Sequence, residues 1–224
     1  MNKKIAVLIP IKEHSERIPN KNFKLVNKNP LHNLLIKKLE KADFISKIYI
    51  NTDSYKIFEY YKNNPKVKLI NRKKELIGDF ISMNDIISSS FDGIEENIIL
   101  QTHTTNPLVL LSTFKQAYLT YLKKIKEEYD SLISVNKYYK RFYNKNFKAI
   151  NHNPKILLRT QDLKPLLVEN SCIYIFSKDS FKTSGSRIGN NPFLFEMNEY
   201  EAIDVDWPED LNVVKNLFNK NLIK

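Results

Sequence analysis

The chain has 224 residues, 42% of them hydrophobic, which is enough for one α/β domain with a buried core. Its formal net charge of +11 favours an anionic partner or substrate, although the lysines are spread along the chain and not collected in one tail. A single cysteine, Cys172, excludes a disulfide framework and a cysteine metal cluster. No stretch has the length of a membrane span and the first apolar run is too short for a signal peptide, so we expect a cytoplasmic protein with no membrane partner.

Short apolar runs alternate with segments of helical periodicity, which predicts an α/β fold with a mostly parallel sheet and helices on both faces. The predicted strands span residues 5–9, 46–51, 67–70, 97–100, 131–135, 172–176 and 201–206. Pro10 is expected to end the first strand, because proline cannot donate to a strand ladder. The predicted helices span 31–42, 54–61, 82–91 and 112–129, and a last helix follows residue 206. The expected helix caps are Ser54 or Asp53, Ser112 and Asp206, with Pro208 in the last helix's first turn.

The segment 137–169, called the excursion below, interrupts this alternation because it is polar, aromatic and basic. A long irregular segment inside a compact domain is usually functional or an oligomer contact. Its first part, 137–148, mixes lysines with aromatic residues that could stack on nucleic-acid bases. A solvated segment or a subunit contact is the commoner use of such a mixture, so no nucleic-acid partner is expected. We therefore predict one domain over 1–224, from which the excursion protrudes.

A polar, cationic loop follows the first strand and contains Lys12, Ser15, Arg17, Lys21 and Asn22. Ligands of open α/β sheets bind beyond the carboxyl ends of the strands, and fixed positive charges with hydroxyl and amide donors suit a polyphosphate there. The general abundance of lysine is an ordinary alternative explanation. The loop also lacks the glycines that usually let a backbone approach phosphate closely.

Asp204 and Asp206 alternate at the end of the last predicted strand, so both side chains are expected on one face. Two carboxylates at one edge suit Mg²⁺, which prefers oxygen ligands and usually bridges to phosphate. From the residues alone, helix capping by Asp206 and a plain surface charge on Asp204 are the favoured explanation.

Three ordered motifs resemble those of the acylneuraminate (sialic acid) cytidylyltransferases. They are Ile9-Pro10 with Ser15, Arg17-Ile18-Pro19 and Lys21-Asn22; Arg72 to Asp79 with Ser82 and Asp85; and Ala202 to Asp206 with Asp210. The similarity runs from Ile5 to Phe218 and is weakest in the first loop. There, Lys12 stands where the family has arginine, Glu16 replaces a lysine, and the family's glycines are missing.

The resemblance implies a Rossmann-like three-layer fold with a protruding dimerisation excursion, and transfer of CMP from CTP to a sialic acid-like 2-keto sugar acid. It assigns catalytic roles to Arg17, Lys21 and Asp206, and Mg²⁺ binding to Asp204 and Asp206. The implied nucleotide-binding residues are Lys12, Ser15, Asn22, Arg72, Ser82 and His103. The implied substrate-binding residues are Gln101, Arg159, Gln161 and Asn170.

Several alternatives stay open at this point. The acceptor could be a Kdo-like sugar or a phosphonate, and the glycine-free loop with Glu16 favours a non-catalytic nucleotide-binding relative. Gln101 or His103 could take the place of the family's glutamine. A homodimer is expected, in which Arg159 or Lys140 could serve the partner's site.

Overall fold

The computed structural model describes residues 4–219, which form a seven-stranded sheet between layers of helices, with a small two-stranded hairpin beside it. The strands are β1 (Ile5–Ile11), β2 (Leu25–Val26), β3 (Asn29–Pro30), β4 (Ile45–Thr52), β5 (Val67–Asn71), β6 (Ile98–Gln101), β7 (Ser131–Tyr138), β8 (Leu166–Ser177) and β9 (Pro192–Glu196). The helices are α1 (Leu31–Glu40), α2 (Tyr55–Tyr61), α3 (Met83–Ser90), α4 (Leu111–Lys124), α5 (Lys178–Ser184) and α6 (Pro208–Asn219).

The strand order in the large sheet is β5-β4-β1-β6-β8-β7-β9. β1 pairs in parallel with β4 and β6, and β7 pairs in parallel with β9. β8 runs antiparallel to both of its neighbours, so it alone reverses the common direction of the large sheet as described. The predicted α/β class, with a mostly parallel sheet in a Rossmann-like arrangement, is confirmed.

The two faces of β1 are buried against different helices, which explains its continuous apolar sequence. Ile5, Val7 and Ile9 share a core with residues of α1, α2 and α4, whereas Ala6 and Leu8 share one with residues of α3 and α5. No helix between residues 4 and 219 combines the length and apolarity needed to cross a membrane.

A third apolar cluster lies at the edge of the domain and joins distant parts of the chain. It contains Ile18 of the first loop, Val26 of the hairpin, Leu34 of α1, Val205, and Leu211 of α6. Because Ile18 and Val205 are buried in the same cluster, the loop after β1 and the segment before α6 are held side by side. This cluster positions the candidate site described below.

The predicted strand over 201–206 is wrong, since these residues form a turn followed by irregular backbone. The edge position beside β7 is taken by β9, which the sequence did not predict. The alternating Ile203 and Val205 instead pack in the cluster with α6. The predicted alternation of Asp204 and Asp206 on one strand face is therefore wrong as well.

Several element ends also differ from the prediction, among them the start of β8, which lies at Leu166 and not at residue 172. β1 continues through Pro10 to Ile11, because its pairing with β6 stops at Leu8 and no partner is left for the missing N–H. Ser112 lies inside α4, which begins at Leu111 without a side-chain cap and ends at Lys124. Asp206 does not cap α6: the helix begins at Pro208 as expected, but it is the Asp210 carboxylate that accepts the N–H groups of Asp206 and Trp207.

His32 of α1 is fully buried among aromatic rings. Its Nδ1 lies 2.7 Å from the hydroxyl of Tyr61, and its Nε2 is buried without a hydrogen-bond partner in the described part of the chain. Burial disfavours the charged imidazolium and lowers the pKa of His32 to about 4. The unfolded chain, with an ordinary histidine pKa near 6.5, therefore binds the proton first as the pH falls.

We predict that this histidine makes the protein sensitive to mild acid. Between pH 7 and pH 5 the unfolded state gains a proton at His32 that the folded state excludes, so the free energy of unfolding should drop by about 2 kcal/mol from this group. Urea unfolding of the wild type and of His32→Gln at both pH values measures it. The variant should lose clearly less than the wild type over this interval, and the exposed control His14→Gln should behave as the wild type does. Equal losses in the wild type and His32→Gln would contradict the prediction.

Candidate active site

A cleft of about 380 Å³ opens where β1, β5 and β6 end, at the carboxyl edge of the parallel strands. Its lining comes from the loop after β1, the segment before and within α3, the residues after β6, one residue of β8 and the segment before α6. The polar residues that line it are Lys12, Ser15, Arg17, Lys21, Asn22, Arg72, Asp79, His103, Thr104, Thr105, Ser171, Asp204 and Asp206.

Two cations of the first loop hold the C-terminal acidic segment. Lys21 Nζ donates to the carbonyl oxygen of Val205 at 2.7 Å and to Asp206 Oδ1 at 3.1 Å. Arg17 Nη1 lies 3.0 Å from Asp206 Oδ2, and the Arg17 guanidinium sits 5.4 Å from the ring centre of Trp207. The cations near one end of the sequence and the carboxylates near the other thus meet at one cleft.

The backbone of the first loop explains how Lys21 reaches this segment. Asn20 adopts a left-handed conformation, with φ of 55°, and a short 3-10 turn, Lys21–Phe23, follows directly. Asn22 is buried in this turn, where its Nδ2 donates to the Lys12 carbonyl at 3.2 Å and its Oδ1 accepts from Thr104 at 2.9 Å. Asn22 therefore fixes the loop to the end of β6.

Asp204 contributes to the cleft a carboxyl group whose hydrogen bonds are only partly satisfied. Its Oδ1 is buried and has no hydrogen-bond partner in the described part of the chain. Burial raises the pKa of Asp204 and neighbouring Asp206 adds to the rise, while a hydrogen bond with Thr105 and the charges of Lys21 and Arg17 oppose it. A cation ligand at this carboxylate would satisfy the orphaned oxygen.

Arg72 lines the cleft and is held in place by hydrogen bonds. Its Nε donates to Asn51 Oδ1 at 2.8 Å, its Nη2 donates to the Asn51 carbonyl at 3.0 Å, and its Nη1 lies 3.9 Å from Asp53. Burial lowers the pKa of Arg72, and the charge of Asp53 opposes that shift. A guanidinium fixed on one side by Asn51 is a pre-organised donor for a ligand on the other side.

The entrance of the cleft carries a second ion pair. Lys12 Nζ lies 2.6 Å from Asp79 Oδ1, and both side chains are about half exposed. The hydrogen bond from Lys12, followed by one with Glu16, lowers the pKa of Asp79. Lys12 is thus neutralised by Asp79 in the way that Arg17 and Lys21 are neutralised by Asp206.

Comparison with known proteins assigns the chain to a family. A family model described as cytidylyltransferase matches residues 6–223. The chain belongs to the cytidylyltransferase family.

Similar proteins within and around this family agree with that assignment. The chain is 25% identical, over 94% of its length, to the N-acylneuraminate cytidylyltransferase of Streptococcus agalactiae serotype III, of which it covers 52%. It is 27% identical, over 91% of its length, to N-acylneuraminate cytidylyltransferase A of Danio rerio, of which it covers 49%. The chain thus spans about half the length of these curated relatives. The solved structure of CMP:2-keto-3-deoxy-manno-octonic acid synthetase complexed with CTP shares the fold, with a TM-score of 0.70, 13% identity, and coverage of 98% of this chain and 100% of that chain.

Five residues to which the family resemblance gives a site role do not line the cleft: Ser82, Gln101, Arg159, Gln161 and Asn170. Ser82 caps α3 by accepting from the Asn84 N–H at 3.2 Å. Gln101 is fully buried behind His103. Arg159 and Gln161 are exposed on the excursion, where Arg159 pairs with Asp162.

Asn170 lies within the pairing of β7 and β8, not in the cleft. Its Oδ1 accepts from the Ser134 hydroxyl at 2.5 Å, and its Nδ2 donates to Asn136 Oδ1 at 3.1 Å. These bonds stabilise an irregularity in the strand register near Ser134. As a result Ser171, with φ of 58°, faces the cleft instead.

Sequence reasoning missed four polar residues that line the cleft: Asp79, Thr104, Thr105 and Ser171. Asp79 belongs to the middle motif, and Thr104 and Thr105 follow a predicted strand end, so their positions carried a usable signal. It also missed Arg187, which lies behind the cleft and belongs to no motif.

We predict that the two cations of the first loop differ in their effect on stability. Lys21→Met removes two hydrogen bonds from a side chain that is only 12% exposed, and should lower the free energy of unfolding by about 2 kcal/mol. Arg17→Met removes an ion pair from a side chain that is 48% exposed, and should cost at most about 1 kcal/mol. Urea unfolding of both variants measures the difference. Equal losses would show that the Lys21 bond to Val205 does not hold the two segments together.

Proposed function

We propose that the protein transfers CMP from CTP to a sialic acid-like 2-keto sugar acid and releases pyrophosphate. The observation that carries this proposal is the convergence of Arg17, Lys21, Asp204 and Asp206 on one cleft of a cytidylyltransferase-family chain. The names of the curated relatives support the choice of an acylneuraminate-type acceptor.

In the proposed reaction, a hydroxyl oxygen of the acceptor attacks the α-phosphorus of CTP and forms a new P–O bond. The bond from the α-phosphorus to the bridging oxygen breaks, and pyrophosphate leaves with that oxygen and its electron pair. The hydroxyl proton is released to solvent. Such a reaction needs positioning and charge neutralisation more than covalent chemistry from the protein.

The first-loop cations supply the charge neutralisation. Lys12, Arg17 and Lys21 all line the cleft, so a triphosphate bound there would meet three positive charges. Lys12 pairs with Asp79, and Arg17 and Lys21 pair with Asp206. Nucleotide binding therefore exchanges carboxylates for phosphates around the same cations, so their charge is never buried without a partner.

Two further residues of the cleft lining are suited to orienting the nucleoside. Asn22 and Arg72 are both fixed by hydrogen bonds to the scaffold, which makes them suitable for orienting a base or a ribose. Ser15 lines the cleft in the first loop and offers a hydroxyl to the phosphates.

Asp204 and Asp206 would hold Mg²⁺. The residues fit this ion because Asp204 has a buried oxygen without a partner, Asp206 lines the same cleft, and Mg²⁺ is commonly bound by one or two carboxylates together with substrate phosphates. No group of three or more His, Cys, Asp or Glu side chains suited to a metal occurs within residues 4–219, so phosphate oxygens would complete the coordination. When bound, Mg²⁺ would neutralise developing charge on the phosphates.

The direct test supplies CTP, Mg²⁺ and a panel of acidic sugars, including sialic acids and a Kdo-like sugar, and follows pyrophosphate release. We expect release with a sialic acid-type acceptor, and product mass spectrometry identifies the CMP-sugar. Binding of CTP without release for any acceptor would indicate a non-catalytic relative. Absence of both CTP binding and release would overturn the proposal.

We predict that Asp204→Asn lowers turnover at least about a hundredfold, because the amide keeps the shape of the side chain and loses the charge that attracts the metal. The matched control is Asp43→Asn, which removes the same charge from a side chain that is 81% exposed beside Lys115. The control should keep wild-type turnover. A fully active Asp204→Asn enzyme with unchanged Mg²⁺ dependence would remove the metal role from this residue.

We also propose that the protein is a homodimer formed through the excursion. Nine large apolar side chains on and beside it are exposed in the single chain: Tyr139, Tyr143, Phe147, Ile150, Ile156, Leu157, Leu158, Leu167 and Val168. Exposed apolar side chains at this density usually mark an interaction surface. Arg159 lies in the same region with its side chain 73% exposed, which supports a role at the partner's cleft.

We predict that Leu157→Asp converts the dimer to a monomer. Leu157 is 90% exposed in the single chain, and in the dimer interface the new carboxylate would be buried without a partner. Analytical ultracentrifugation of wild type and variant measures the change. Leu119→Asp, on the exposed face of α4, is the control and should remain dimeric. A wild-type monomer at micromolar concentration would refute the dimer.

A further inference from the structure

Arg187 lies between α5 and β9, and it has contacts that the nucleotide site does not explain. Its guanidinium carbon lies 3.6 Å from the ring centre of Tyr174, and its Nη1 donates to Gln101 Oε1 at 2.6 Å. Both of these partners are uncharged. Burial lowers the pKa of Arg187, and the charge of nearby Glu169, which accepts from the Tyr174 hydroxyl, opposes that shift. Partial burial of a cation costs free energy, and packing alone does not explain why Arg187 occupies this position. The effect of Arg187 on Gln101 therefore needs an explanation.

The contact with Arg187 determines how the Gln101 amide is oriented. Arginine only donates hydrogen bonds, so the atom of Gln101 that faces it must be the oxygen. The amide nitrogen then faces the Thr102 carbonyl at 3.2 Å and His103 Nε2 at 3.0 Å. The opposite orientation would place two donors against each other at Arg187 and two acceptors against each other at Thr102.

The amide orientation in turn determines the tautomer of His103. Because Gln101 donates to His103 Nε2, that nitrogen must be unprotonated and the proton of a neutral ring lies on Nδ1. Burial, followed by the charges of Arg187 and Lys21, lowers the pKa of His103 to about 3, so the ring is neutral at pH 7. His103 lines the cleft, and its Nδ1 has no hydrogen-bond partner within residues 4–219.

We propose that Arg187 is a positioning residue which, through Gln101, holds His103 in the Nδ1–H tautomer and so presents a hydrogen-bond donor to an oxygen of bound CTP. Gln101 itself does not reach the ligand, because it is fully buried behind the histidine. The nature of the ligand rests on the proposed function. The tautomer does not, because it follows from contacts inside the free protein.

The tautomer can be read from the ¹⁵N signals of the His103 ring at pH 7, assigned by their loss in His103→Asn. We expect a protonated Nδ1 and an unprotonated Nε2 in the wild type without nucleotide. Arg187→Met frees the amide of Gln101 to rotate, so both ring nitrogens should become partly protonated. Gln101→Glu replaces the donor by an acceptor of the same shape that still pairs with Arg187, so the proton should move to Nε2.

Isothermal titration with CTP measures the consequence for binding. Both variants should bind CTP about tenfold more weakly than the wild type, the size expected for one lost hydrogen bond to a charged ligand. Gln101→Glu keeps the pairing with Arg187, so it separates the change of tautomer from any loss of folding in Arg187→Met. Circular dichroism checks the fold of both.

Two results would overturn this inference: a wild-type His103 protonated on Nε2, or variants in which neither the tautomer nor the CTP affinity changes. Failure of the proposed function gives a different pattern. In that case the wild type shows the expected tautomer, but no acceptor leads to pyrophosphate release.

Discussion

The bonds of Lys21 to Val205 and Asp206 are the contacts on which the site depends. They join residues separated by more than 180 positions, and the surrounding cluster of Ile18 and Leu211 keeps them shielded from water. Shielding strengthens a charged hydrogen bond and also makes its loss costly. The same lysine thus closes the domain and places a positive charge where a phosphate would lie. This coupling explains why the first loop is firmly placed without any of the usual glycines.

Charge around the cleft is arranged at a cost to stability. Arg72 is buried and Asp204 is half-buried, both have shifted pKa values, and the buried Oδ1 of Asp204 has no hydrogen-bond partner in the described part of the chain. A domain built only for stability would replace such groups by apolar ones. Their positions in the lining of a single cleft are instead what a polyanionic ligand and its counter-cation require. Strain of this kind is expected at sites that bind and react.

The sequence predicted most of the scaffold because its signals were local. β1 was recognisable from a continuous apolar run, and the cap of α2 from Ser54. It failed where tertiary packing decides: Ile203 and Val205 alternate as in a strand but pack against a helix. β9 begins with proline, which is unusual in a strand. Arg187 and Gln101 are 86 positions apart in sequence, so only the tertiary fold brings them into contact. The meeting of Arg17 with Asp206 was expected from family resemblance, since no local pattern links residues so far apart.

The reversed direction of β8 has a further consequence. Because β7 ends and β8 begins at the cleft edge of the sheet, their paired ends, such as Tyr138 with Leu166, extend as a ribbon past Gln101, and the rest of the excursion hangs from it. Most of the cleft lining comes from other elements, and of the residues of β8 only Ser171 contributes to it. The ribbon and most of the cleft are therefore built from different parts of the chain. A change in the length or composition of the ribbon would leave most of the cleft lining, and with it the proposed site for CTP, in place.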